Sequence, residues 1–461
     1  MSQLIVNKWH LRLVSYQHVT GSGVAMATAG SVIRDALRLK AKKFLATQSL
    51  FYALANSIEA LVPFLLAPIL TRTLDPASYG VWVLFITYAT FLRPIVGLTT
   101  QDAIRMRFYD FDKKQLDQFT HTIFFVMFIM AVVVSAFAFV FRDALAGAAK
   151  FPAGWLVSVV IAAFLFEAFY TVLALQQFHH RRKDFLWTEI IQAVLSMALV
   201  SGFLLAGLGW RGVIVGRMLG MGLATLISLR RLGYGISELV RIPPPSFYRD
   251  IASFGVTYWP AGMVIMAIGM TGKVVAAQYL GLAASAMYGV AALFASAFWI
   301  VNYSFVLAWT PWLFRKLKAA PTAGLREVLS VSMLYFVLAS AAGIAFYFAS
   351  LIVAPILLGS AFYGAIPLLR YIMLAVVLQG FFMHNMKFLH FEKDIGMMSA
   401  CSALAIAINL WLCIAWAPTM GIPGIILAHA VAFGAIFLIS GILVAARYVN
   451  LQQELKAFVR Q

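Results

Sequence analysis

The stretch Leu70–Arg107, LTRTLDPASYGVWVLFITYATFLRPIVGLTTQDAIRMR, decides the fold class. It holds a short turn, an apolar run from Tyr79 to Leu98 that Arg93-Pro94 interrupts, and a basic exit. Such a run is long enough to cross a hydrocarbon core of about 30 Å at about 1.5 Å per residue. An arginine at the centre of a membrane helix costs about 2.5–3.5 kcal/mol on insertion scales, so it faces protein or water and not lipid.

The rest of the chain has the same character. Of its 461 residues 63% are apolar and 11% charged, with a mean hydropathy of +0.90, more apolar surface than a soluble domain keeps from water. From Phe44 onward twelve helix-length apolar spans are expected: 44–70, 79–100, 118–141, 153–176, 186–208, 211–229, 250–272, 284–310, 327–351, 363–388, 395–417 and 421–446. The ten-residue alternating segments of a β-barrel are absent. The fold class is therefore an all-α polytopic membrane protein with about 12 transmembrane helices.

The net charge of +18 is explained by topology and not by nucleic acid. With the N-terminus inside, 27 of the 35 Lys and Arg residues fall in cytoplasmic tails and loops. Arg72, Arg142, Lys150, Arg211 and Lys273 fall in external loops, and Arg93, Arg217 and Arg370 within spans. This alternation puts both termini in the cytoplasm. Residues 1–43 read as a cytoplasmic tail, either basic and amphipathic or disordered. The longest later polar interruption, with Pro243-Pro244-Pro245, marks a linker at 231–249 between lobes 44–230 and 250–446, and 447–461 is a second cytoplasmic tail. Cys401 and Cys413 lie twelve residues apart on one expected helix, about 18 Å, too far for a mutual disulfide.

The two lobes are related. SYGVWVLF (Ser78–Phe85) returns as MYGVAALF (Met287–Phe294) at an offset of 209. GWRGVIVGRMLGMGLATLIS (Gly209–Ser228) aligns with GIPGIILAHAVAFGAIFLIS (Gly421–Ser440) at an offset of 212, with seven identities in twenty positions. Six helices is an even number, so both halves enter the membrane in the same sense, as parallel repeats with a site expected between them.

These features resemble a known family. The first span with Pro63 and Pro68, then LTRTLDPASYGVWVLF, YLGLAASAMYGVAALF, AWTPWLF, LGSAFYGAIPLLRYIMLA and MGIPGIILAHAVAFG, are similar in order and spacing to Wzx-type polysaccharide flippases. Those belong to the multidrug/oligosaccharidyl-lipid/polysaccharide exporter superfamily. The likeness runs from Phe44 to Arg447. Where many relatives carry an acidic-basic pair at the end of the seventh helix, this chain has Thr271-Gly272-Lys273. The resemblance implies two six-helix lobes forming a V-shaped central cavity with a cationic lumen. It also implies a cargo of undecaprenyl-diphosphate-linked oligosaccharide, moved by alternating access from the cytoplasmic to the periplasmic leaflet of a bacterial inner membrane, for O-antigen, capsule or exopolysaccharide assembly.

Moving a diphosphate through hydrocarbon needs fixed cations, and Arg suits the task with a planar fork that stays charged. Arg93 lies about 12 Å from the cytoplasmic end of its span; it contacts cargo or satisfies a carbonyl freed by Pro94. Its repeat equivalent is Asn302. Arg217 pairs by the repeat with His429, so that the two would face one another across a cleft, the alternative being a snorkelling Arg and an ordinary helix His. Arg370 is a further anion contact. Glu59 and Glu167 either carry a coupling proton (or Na+) or pair with a lumen Arg. Coupling is not obligatory, because an inside-negative potential supplies about 2.3 kcal/mol per charge per 100 mV to a departing anion.

No catalytic, cofactor or metal motif is present, so no enzyme chemistry is expected. A polymerase or ligase would need a large external loop, and here none exceeds about fifteen residues. An exporter of cationic drugs would have acidic in-span charges, and a lipid II flippase would have fourteen helices by the resemblance. Expected partners are the lipid-linked glycan, membrane lipid, a polymerase and a chain-length regulator.

Overall fold

The computed structural model describes residues 51, 58, 61–98, 100–108, 110–235, 247–319 and 323–459. Ile58–Gln461 forms one compact unit and Met1–Ser57 another, of which Phe51 is described. The expected 1–43 tail, Glu59 and the middle of the 231–249 linker lie outside the described residues.

The first half runs α1 (Leu61–Thr73), α2 (Pro76–Gly97), α3 (Thr100–Arg107), α4 (Lys113–Val140), α5 (Arg142–Ala149), α6 (Leu156–Phe178), α7 (Arg182–Leu205) and α8 (Gly209–Leu232). The second runs α9 (Tyr248–Leu280), α10 (Leu282–Ala319), α11 (Ala323–Leu357), α12 (Leu369–Phe391) and α13 (Ile395–Val459). A 3-10 helix, Ser360–Leu368, leads into α12. The last element is two helices joined across Gly421, whose φ of 64° breaks the helical path, and it continues through the segment assigned to the C-terminal tail. Among the described residues nine helices are long and apolar enough to cross a membrane. The basic exit after the second span is itself a helix, α3, set off by the left-handed Leu98.

Local chemistry explains how α2 begins. Asp75 caps it by accepting from the amides of Ala77 and Ser78 at 2.9 and 3.0 Å, and Pro76, which has no amide to lose, stands at the first helical position. The Ser78 hydroxyl together with these amides holds the Asp75 carboxyl below the usual carboxylate range. Because the folded value is depressed, this support is complete above the ordinary value of 3.8 and fades as pH falls below it. Asp75→Ala should cost about 1 kcal/mol near neutral pH. Thermal unfolding in lipid against pH checks this: the gap to wild type should close in acid.

Packing then sorts the helices. Buried residues make up 67% of the most apolar stretch of α6 and 17% of that of α11, so α6 is central and α11 meets the hydrocarbon with Val337, Ile352 and Ile356. Helices α7 and α8 pack through Gly212, Gly216 and Gly220, one per turn. A Cβ on Gly216 would lie 2.7 Å from the Val200 amide nitrogen and one on Gly220 2.5 Å from Ser196 Oγ, the close backbone approach that drives helix association in lipid.

The repeated Tyr-Gly pairs sit where the halves touch. Helix α2 packs on α9 and α10. A Cβ on Gly80 would lie 2.1 Å from the Leu282 carbonyl oxygen, and one on Gly289 2.6 Å from Val83 Cγ2. Tyr79 meets Phe362 edge to face at 5.1 Å. Beside them Arg72 Nη2 donates to the Ile356 carbonyl at 2.7 Å, and the Gly359 amide donates to Thr71 Oγ1 at 3.0 Å. The turn between α1 and α2 is therefore sealed against the second half.

Candidate functional site

Arg93 reaches from α2 to α6. Its Nε and Nη2 both donate to Glu167 Oε2 at 3.2 Å, and its guanidinium lies 4.1 Å from the centre of the Tyr170 ring. Glu167 and Tyr170 are three residues apart and so share one face of α6. Gly97 makes the approach possible, since a Cβ there would lie 2.2 Å from Glu167 Cγ. Of the roles open to Glu167, the geometry realises an ion pair with an in-span arginine. Glu167 is 2% exposed, whereas the Arg93 side chain keeps 16%.

That remaining exposure opens into a cavity of about 310 Å³ beneath the α1–α2 turn. Pro63, Leu66 and Leu70 of α1 wall it on one side, Trp82 and Thr90 of α2 on another, and Gly289, Leu293 and Ser296 of α10 on a third. Its size falls in the range of ligand pockets. Arg93, Arg217 and Lys273 all line it, and among the described lining residues no carboxylate does.

Arg217 projects from α8 beside Gly216, where the glycine packing brings α7 close. It is 8% exposed, donates from Nη1 to Ser196 Oγ at 3.4 Å, and lies 5.9 Å from the centre of the Phe166 ring. Ser196 also accepts from Gln192 Nε2 at 3.1 Å. Glu189, 1% exposed, continues this polar face of α7.

Lys273 corrects the sequence reading. Hydropathy ended the seventh span at Gly272 and put Lys273 in an external loop, but α9 continues to Leu280 and sets Lys273 half-buried in the cavity wall. Only the length of the apolar segment after it, VVAAQYL, carried a signal that the helix goes on.

The other candidates lie elsewhere. Asn302 is 4% exposed in the second half, where its Oδ1 accepts from the Tyr335 hydroxyl at 2.6 Å. Arg370 is exposed and folds back on Tyr371, donating to its hydroxyl at 2.8 Å. His429 is 7% exposed and packs edge-on against Phe433 at 4.8 Å; it is not among the residues lining the cavity that Arg217 shares. The repeat thus relates Arg217 to His429 in sequence without joining them at one cleft.

A family model described as polysaccharide biosynthesis protein matches residues 45–317. None of the curated proteins shows significant sequence similarity to the chain. In fold, the chain is similar to a multidrug resistance MATE family transporter of the MOP superfamily in an inward-facing conformation. That match has a TM-score of 0.70 at 14% identity and covers 87% of this chain and 99% of that one. It is also similar to the lipid II flippase MurJ in an inward closed conformation, with a TM-score of 0.61 at 12% identity over 87% of this chain and 92% of that one. An outward-facing MATE transporter gives 0.59 at 15% identity over 88% and 97%.

Proposed function

The chain belongs to the polysaccharide biosynthesis protein family, and on that premise we propose that it is a flippase for lipid-linked oligosaccharide, with the diphosphate held at Arg93, Arg217 and Lys273. The observation that carries this reading is the convergence of three cations from α2, α8 and α9 on one cavity with no carboxylate among its described lining residues. Fixed positive charge inside hydrocarbon is expensive unless it meets an anion, and the single carboxylate of Glu167 beside Arg93 leaves the cluster with net positive charge. A diphosphate offers two, and its polyprenyl tail can remain in the bilayer while sugar and phosphates pass through the protein.

The same charges argue against an organic cation as cargo. Aromatic residues Trp82, Phe166 and Tyr170 beside the arginines supply apolar faces on which sugar rings can stack. With the positive-inside orientation, the sealed α1–α2 turn lies on the periplasmic side, so cargo enters from the cytoplasmic leaflet of the inner membrane and leaves when that seal opens. Membrane potential drives a dianion in this direction. A polymerase and a chain-length regulator would take up the delivered repeat unit.

The test is binding and flipping of a polyprenyl-diphosphate oligosaccharide in proteoliposomes. Each charge-assisted hydrogen bond to an anion contributes about 1.5–3 kcal/mol, so Arg217→Ala and Lys273→Ala should each weaken binding by about 10- to 150-fold. The loss should be smaller for a polyprenyl monophosphate. Equal affinity of wild type and both variants for the diphosphate would remove this assignment.

A further inference from the structure

The second half holds another buried polar cluster, away from the cavity. His384 on α12 is 1% exposed, and its Nε2 lies 3.0 Å from the Oγ of Ser332 on α11. That hydroxyl also donates to the Val328 carbonyl at 2.9 Å. A serine hydroxyl has one proton to give. With that proton on Val328, Ser332 accepts from the ring, so Nε2 carries the imidazole hydrogen and Nδ1 carries the lone pair. The opposite tautomer would surrender the Val328 bond and bury an N–H for which no acceptor exists among the described residues. The first arrangement makes one more hydrogen bond and leaves an acceptor, not a donor, unmet.

Aromatic rings close over this base. Tyr335 lies flat on the imidazole, 4.8 Å away at 13°, and Phe305 stacks in turn on Tyr335 at 4.6 Å and 6°. Trp309 meets the imidazole edge to face at 4.0 Å and Phe336 at 5.2 Å. The titratable group facing the ring is Tyr335 from α11, engaged with Asn302 of α10; Lys387 lies three residues further along α12. Among the described residues no carboxylate touches it.

A proton arriving at Nδ1 would give the ring two N–H donors and a positive charge. Ser332 accepts one, and the Tyr335 face stabilises the charge. The second N–H finds an acceptor only if α10, α11 and α12 part around Trp309 to admit water or a polar group. Proton binding and helix rearrangement are therefore thermodynamically linked, each favouring the other.

We propose that Nδ1 of His384 is a proton-binding site in the C-terminal half, occupied only in an arrangement where Trp309 and Tyr335 no longer seal it. Its use to couple proton entry to export rests on the flippase reading; the proton site itself does not.

Nitrogen NMR of histidine-labelled full-length protein in lipid bilayers tests the site without cargo. His384→Gln removes one of the eight histidine ring signals and so identifies it. At about pH 8 that ring should carry its proton on Nε2 alone, and a second proton should appear on Nδ1 only together with a change in the Trp309 environment, followed by its fluorescence as the pH is lowered. Ser332→Ala should scramble the two neutral tautomers, which shows the serine's role even if His384→Gln folds poorly. A ring protonated on Nδ1 at about pH 8, or one that gains its second proton with no change at Trp309, would overturn the proposal. In proteoliposomes at fixed voltage, a pH gradient acid on the destination side should speed flipping several-fold in wild type. It should leave His384→Gln at the gradient-free rate, and an unchanged response in that variant would overturn the coupling. If neither protein moves lipid-linked oligosaccharide, the cargo reading fails while the spectra still decide the proton site.

Discussion

Arg93→Ala is expected to abolish transport and also to weaken the fold, and a second substitution separates the two losses. Removing the guanidinium strips Glu167, 2% exposed, of the partner that its Oε2 accepts from at 3.2 Å. Breaking a buried ion pair from one side costs about 3–5 kcal/mol. Arg93→Ala/Glu167→Gln also removes the buried carboxylate's charge and should recover most of that stability, read as thermal midpoint in lipid. Transport should stay absent, because the cavity still lacks the fork that binds phosphate. Arg93→Lys keeps the charge but not the planar donors, and should flip roughly tenfold more slowly than wild type. Restored flipping in the double variant would reduce Arg93 to a structural residue. Glu167→Gln alone removes the charge that competes with cargo and should tighten diphosphate binding, since the carboxylate and the cargo share one guanidinium.

Gly80→Ala should open the contact between the halves. The new Cβ would lie 2.1 Å from the carbonyl oxygen of Leu282, which is backbone and cannot rotate away. Overpacking of this kind costs about 1–3 kcal/mol, which shifts an equilibrium between closed and open arrangements by about 5- to 150-fold. Both native cysteines are buried, so Ala292→Cys in the cavity wall gives a clean readout with a water-soluble maleimide. Gly80→Ala should raise its labelling rate sharply. Gly289→Ala should raise it less, because there the obstacle is the Val83 side chain. Equal, unchanged labelling in both would show that the seal does not limit access.

Much of this architecture is legible before any folding. The second span was expected at 79–100 and is a helix at Pro76–Gly97, with Asp75-Pro76 supplying a start signal that does not depend on packing. The repeat in Tyr79-Gly80 and Tyr288-Gly289 is visible as sequence, and both glycines lie where α2 meets the second half, Gly80 against the Leu282 backbone and Gly289 against the Val83 side chain. Arg93 and Arg217 stand out because a charge inside an apolar span is rare.

The remainder was not legible, for reasons that particular residues make plain. Lys273 looks external in the sequence because α9 runs seven residues, VVAAQYL, past the lysine at which hydropathy ends the span. Asn302 and His429 matched arginines through the repeat, yet one packs on Tyr335 and the other on Phe433. A shared backbone plan does not oblige two halves to use equivalent positions alike. His384 carries no signal in the sequence, because the Ser332 hydroxyl that meets its Nε2 lies fifty-two residues away and only the fold brings the two together.

By itself the sequence determined that this is a membrane protein, where most of its helices lie, and which family it belongs to. Each of these depends on hydropathy, loop charge or motif order, properties that are local along the chain. Only the tertiary structure decided which charges meet. In a soluble helix the polar face betrays the buried one, but here lipid-facing and core-facing sides are equally apolar, so periodicity carries no contrast. Which face of α2, α8 and α9 turns inward is set by close contacts at Gly80 and Gly97, Gly216, and Gly272 against Tyr288, and those contacts place Arg93, Arg217 and Lys273 around one cavity.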